Sequence, residues 1–127
     1  MKRLLLLAIA SLSLTACATD GIQTIPQAPP AASIPSGATP ISEAAQKALY
    51  AAEAAYNIPA DAYVRLNASG RLTPALKAQA KPVLLQAYNG LKLARQAAAA
   101  GDTVGVMLQT AEATRLAKAA QALLPAQ

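Results

Sequence analysis

Five of the chain's nine prolines fall between Ala18 and Pro40, at Pro26, Pro29, Pro30, Pro35 and Pro40. Each proline removes a backbone donor and pushes the residue before it out of the α region. The remaining positions are mostly Ala, Ser, Thr, Gln and Gly, and Asp20 carries the only charge. Such a stretch cannot bury enough apolar surface to offset the entropy of ordering it. It reads as a disordered tether, about 70 Å long as extended polyproline II and about 25 Å as a loose coil. A folded domain must therefore be built from Ile41 onward.

From Ile41 the texture changes to Ala-rich helix. Ser42 is a plausible N-cap, and Glu43 lies in the first turn, where the helix dipole favours an anion. Ala45, Leu49, Ala52 and Tyr56 recur at helical spacing. Asn57-Ile58-Pro59 predicts the end of this first helix near Tyr56. A short second helix fits Pro59 to Asn67, with Ser69-Gly70 as its stop. Thr73-Pro74 opens a third helix, Thr as N-cap and Pro at the first helical position. It runs to Ala100 and stops at Gly101-Asp102. Pro82 lies inside it and either kinks one continuous helix or opens a new one. Asp102 or Thr103 caps a fourth helix that reaches Leu124 before Pro125. No segment shows sustained strand alternation, and no repeat of fixed period is present.

The third helix divides into two faces. At 100° per residue, Leu76, Ala80, Val83, Leu84, Ala87, Leu91, Ala94 and Ala98 form a broad apolar side. Lys77, Lys81, Lys92 and Arg95 form a neighbouring stripe with Tyr88 among them. In the fourth helix Val106, Ala113, Leu116, Ala117, Ala120, Leu123 and Leu124 share a face. Two such helices joined by a tight turn make an αα-hairpin, which the first helices must cover. The expected fold is all-α, a small Ala-rich three- or four-helix bundle. Its core lacks Phe and Trp. Alanine favours helix and lets helices approach closely, yet buries little area. Modest stability is expected, or support from self-association or a partner.

Ahead of the tether, Lys2 and Arg3 precede an apolar run from Leu4 to Leu14 that only Ser11 and Ser13 interrupt. A basic start, a short apolar run and small residues before a cut describe a secretory signal peptide. The run is far shorter than the roughly 20 residues that span a bilayer. It ends in Leu14-Thr15-Ala16-Cys17, and Cys17 is the only cysteine, so no internal disulfide can form. These four residues resemble the lipobox of bacterial lipoproteins, Leu-[Ala/Ser/Thr]-[Gly/Ala]-Cys, at every position. The resemblance implies cleavage before Cys17, diacylglycerol on its Sγ and an acyl chain on its new amino terminus. Two or more chains hold a protein stably on a membrane. The implied organisation is a signal peptide over 1–16, a lipidated cysteine and tether over 17–40, and a helical domain over 41–127. In this family an Asp after the cysteine favours the inner membrane in enteric bacteria. Ala18 stands there, which implies the periplasmic face of an outer membrane.

The formal net charge is +5. No acid lies between Asp61 and Asp102, an interval with Arg65, Arg71, Lys77, Lys81, Lys92 and Arg95. Lys77, Lys81, Tyr88, Lys92 and Arg95 are the candidate surface for an anionic partner, such as lipid headgroups or an acidic envelope component. The alternative is a solvated face, partly neutralised by Glu43, Glu53 or Glu112 on neighbouring helices. The chain has no histidine, the commonest general base and metal ligand. Its acids are scattered and its glycines follow no phosphate-loop spacing. No enzyme, metal or further cofactor is expected, and export argues against nucleic acid. The reading is an anchored helical structural or interaction module. Two alternatives stay open. The length, lipobox and Pro-rich tether are also similar to phage outer-membrane spanin subunits, which implies a lysis role. An Ala-lined bundle could also serve as a periplasmic inhibitor or a carrier of a small apolar ligand.

Overall fold

The structure, a computed structural model, describes residues 25–27 and 39–125. The predicted signal peptide, Cys17 and most of the tether lie outside the described residues. Three helices follow one another: α1 (Glu43–Ala68), α2 (Pro74–Ala99) and α3 (Thr103–Leu123). Two tight turns make α2 antiparallel to its neighbours. The backbone N–H of Ser42 donates to Thr103 Oγ1 at 3.2 Å, which brings the starts of α1 and α3 together. The fold is a small all-α bundle, with no strand among the described residues.

Each helix begins at a side-chain cap. The Ser42 hydroxyl accepts from Ala45 N at 3.2 Å, Thr73 from Leu76 N at 3.3 Å, and the Asp102 carboxylate from Gly105 N at 2.8 Å. Each satisfies a donor that the first helical turn leaves open. Pro74 follows its cap at the first helical position, where a missing N–H costs nothing.

The first two helices stop alike. Gly70 and Gly101 take φ of 69° and 73°, a left-handed conformation that glycine adopts without strain. Arg71 N then donates to Leu66 O at 3.0 Å and Gly70 N to Asn67 O at 3.2 Å. Asp102 N reaches Ala97 O at 2.8 Å and Gly101 N reaches Ala98 O at 3.0 Å. These are paired Schellman closures.

The predicted break at Asn57-Ile58-Pro59 does not occur, and the expected first and second helices are one. Proline removes a single donor, and here its ring is buried in the core. Ala45, Ala52, Tyr56, Pro59, Ala60, Tyr63 and Leu66 are the buried face of α1. A break at Pro59 would turn Tyr63 and Leu66 off that face. Burial of those side chains, at roughly 1.5–3 kcal/mol for a large one, can offset a lost helix bond. Likewise α2 runs unbroken through Pro82, so the alternative of a new helix there is not realised.

The core is thin. Its alanines include Ala87 and Ala94 from α2 and Ala113, Ala117 and Ala120 from α3. A Cβ added to Gly90 would stand 3.3 Å from Ala113 Cβ, so the missing side chain permits close approach of α2 and α3 there. Large groups are few: Tyr56, Tyr63, Leu66, Leu84 and Leu91 from the helices, Leu72 from the first turn, and Ile25 from the proline-rich segment. A smaller cluster of Ile41, Ala45, Ala98 and Val106 closes the end where α1 and α3 begin.

Ile25 marks a second departure from expectation. The tether assignment rested on average composition, yet Ile25 is only 2% exposed and belongs to the main cluster. One large apolar side chain can be seated even when its neighbours offer nothing to bury.

The two internal prolines differ in their surroundings. Pro82 is exposed and Pro59 is buried. Pro82→Ala restores the N–H aimed at the Ala78 carbonyl and gives up no buried contact. It should stabilise the protein by about 1 kcal/mol, a rise in melting temperature of roughly 4–8 °C for a domain of this size. Pro59→Ala regains a bond but loses buried ring contacts, and should gain less or lose stability. Thermal melts followed by circular dichroism compare the two.

Candidate functional site

The lysine stripe lies on α2, a helix that carries no acid. Lys77 and Lys92 are exposed, and Lys81 and Tyr88 are half-buried. No ion pair engages the three lysines among the described residues. Arg95 sits differently. Its Nε and Nη2 donate to Glu53 Oε1 on α1 at 2.8 and 2.6 Å, and the two side chains are only 16% and 12% exposed. Both charges are largely withdrawn from water and satisfied by each other, an arrangement that ties α2 to α1. The cationic surface therefore comprises Lys77, Lys81 and Lys92, with Arg95 held in a cross-helix pair. Neutralisation by Glu53 reaches this one member of the stripe.

Tyr88 connects the stripe to the core. Its ring lies 6.1 Å from that of Tyr56, tilted by 44°, an aromatic contact within the favourable range. Tyr56 is fully buried, and its hydroxyl donates to the Pro26 carbonyl at 2.5 Å. Beside it, Gln27 Nε2 donates to Asp61 Oδ1 at 2.7 Å. The segment Ile25–Gln27 is thus held by one buried side chain and two hydrogen bonds. Burial pushes the Tyr56 hydroxyl pKa up to about 12, with a further push from the Tyr88 hydroxyl nearby. Burial raises Tyr63 in the same direction.

Hollows open on the surface of the described residues, and two bear on the site. One, of about 370 Å³, is lined by Tyr88, Leu91, Lys92, Arg95, Gln96 and Ala99, which places three members of the predicted site around one depression. Lys77 and Lys81 lie outside it. The other, of about 630 Å³, opens where α1 meets the end of α3, with Asn57, Asp61, Arg65 and Leu124 among its walls. Asn57 Oδ1 is buried there with no hydrogen-bond partner among the described residues. Exposed apolar side chains also gather on the first two turns of α3, where Val104, Met107 and Leu108 face solvent. No helix of the described residues is long and apolar enough to cross a membrane. No three His, Cys, Asp or Glu among them gather where they could hold a metal ion.

Sequence reasoning placed the lysines and Tyr88 on one stripe and named Glu53 among three acids that could neutralise it, but did not pair Glu53 with Arg95. It also missed Ile25, Tyr56 and Asp61 as a docking point. The available signal was weak, because Ile22, Ile25 and Ile34 all interrupt the proline-rich run and nothing local singles out Ile25. Comparison with protein-family models, with curated proteins and with solved structures finds no match.

The Tyr56 hydroxyl supplies a test of this docking point. Its folded pKa is raised above the ordinary 10.0, so the fold favours the neutral phenol. The resulting stability is fully present below pH 10 and is lost as pH rises toward about 12. Tyr56→Phe should cost about 1 kcal/mol at neutral pH, by leaving the Pro26 carbonyl without its donor. It should also flatten the alkaline loss of stability. Denaturant melts of both proteins from pH 8 to 12 measure the two effects together.

Proposed function

We propose that the chain is a bacterial envelope lipoprotein, a helical structural or interaction module held at the periplasmic face of the outer membrane through Cys17. The observation that carries this reading is the run Leu14-Thr15-Ala16-Cys17, behind a short basic and apolar leader, with its cysteine the only one in the chain. The thiol is the nucleophile that takes the diacylglyceryl group, a role that no other residue of the motif could fill. Ala16 leaves room for the peptidase at the bond before Cys17, and Leu14 suits an apolar recognition pocket.

The bundle has the character of a docking module. Its Lys77, Lys81 and Lys92 lie along an acid-free α2, and the one largely buried ion pair among the described residues, Arg95 with Glu53, holds α2 to α1. An acidic envelope component is the partner class this surface suits. A second reading, a carrier of a small ligand, is favoured by the hollow of about 630 Å³ with the unpartnered Asn57 Oδ1 in its wall.

Cys17→Ser tests the first reading. The variant should lose all incorporation of labelled fatty acid and accumulate as an uncleaved precursor. Normal processing with release of a soluble product would refute lipoprotein status. Retention of a ligand by the purified wild-type domain, seen by native mass spectrometry, would favour the carrier instead.

A further inference from the structure

The docked segment and the lysine stripe are neighbours, and that adjacency orients the bundle. Pro26 accepts from Tyr56, the Tyr56 ring meets Tyr88 at 6.1 Å, and Tyr88 shares its stripe and its hollow with Lys92. Ile25 is buried in the main cluster and Gln27 is bonded to Asp61, so the segment is fixed on both sides of that contact. Only eight residue steps separate Cys17 from Ile25, a reach of about 28 Å at full extension. Were the chain free up to Ile41, the reach would be about 80 Å.

We propose that Lys77, Lys81 and Lys92, with Tyr88, form a surface that rests on the anionic lipid headgroups of the membrane holding Cys17. This deepens the lipoprotein reading and, for its orientation, rests on it. The short leash holds the bundle near the bilayer and brings the chain onto it beside Tyr88. No acid on α2 cancels the lysine charge, and no ion pair among the described residues engages these three. Tyr88 supplies an amphipathic ring of the kind that favours the headgroup region. Arg95 is not part of the surface, because Glu53 holds it. Attraction of exposed lysines to a negative leaflet falls off within a Debye length, so the contact needs the closeness that the docked segment imposes.

Two experiments separate this surface from the lipid anchor. In the first, the unacylated mature chain, residues 17–127 with Cys17→Ser, is sedimented with vesicles of phosphatidylglycerol and phosphatidylcholine or of phosphatidylcholine alone. Binding should require the anionic lipid and weaken as salt rises. It should fall by up to about a hundredfold when Lys77, Lys81 and Lys92 are all changed to Gln. Binding that ignores lipid charge, or no binding at low salt, overturns the proposed surface whether or not Cys17 is acylated.

In the second, the acylated protein is reconstituted into the anionic vesicles with a fluorophore on a new cysteine at Gln96, or at Ala111 on α3. Energy transfer to labelled headgroups should be stronger from Gln96. The triple Gln variant and Ile25→Ser should each erase that difference while the protein stays membrane-bound. Equal transfer from the two sites in the wild type overturns the orientation. Loss of the lipoprotein reading shows itself separately, as an intact mass without acyl chains.

Discussion

Close approach of α2 and α3 is the constraint on which the rest of this bundle depends. Gly90 against Ala113, with Ala87, Ala94, Ala117 and Ala120 also buried, leaves little room between the helices and little apolar volume to fill it. Tight contact makes dispersion effective, but each alanine removes little surface from water. The fold therefore draws its larger side chains from wherever the chain can deliver them. Tyr56 and Tyr63 come from α1, Leu84 and Leu91 from α2, and Leu72, Ile41 and Ile25 from outside the helices. α3 contributes Val106 as its one large fully buried group. A bundle whose third helix is nearly smooth needs Leu72 of the first turn, Ile41 ahead of α1 and Ile25 of the N-terminal strap to complete its core.

The same economy explains Tyr56. It fills the space between helices that alanine leaves open, yet its hydroxyl must find an acceptor once buried. The carbonyl of Pro26 answers that need, and a proline-rich segment is well suited to it, because its backbone is extended and its carbonyls are not used by a helix. Anchoring of the strap and completion of the core are thus one interaction. Ile25 supplies the apolar half of the contact and Pro26 the polar half.

Charge is distributed by a similar logic. Arg95 and Glu53 are both mostly buried and bind each other, so this pair belongs to the architecture. Lys47–Glu43 and Arg115–Glu112 are exposed pairs within single helices and contribute little beyond local helix support. Lys77, Lys81 and Lys92 on α2 stand, like Arg65, Arg71 and Lys118, in no ion pair among the described residues. Removing Arg95 from the surface makes the stripe shorter than its helical spacing suggests. It also gives the stripe a fixed position relative to α1 and to the strap.

Much of this was legible in the chain. The Ser42, Thr73 and Asp102 caps, the stops at Gly70 and Gly101, and the apolar faces of α2 and α3 follow from local chemistry. A cap needs only a side-chain oxygen three residues before an open N–H, and a left-handed stop needs only glycine. The lysine stripe follows from helical spacing alone. Tertiary structure decided the rest. Whether Pro59 ends a helix depends on what its ring and the side chains beyond it bury, a balance that local preference does not contain. Whether Arg95 faces a partner or Glu53 depends on a helix that lies 42 residues away in sequence. Whether Ile25 is spacer or core depends on a gap left by alanines that are distant in sequence. In each case the sequence supplied the local preference, and burial of groups brought together from separate helices determined the outcome.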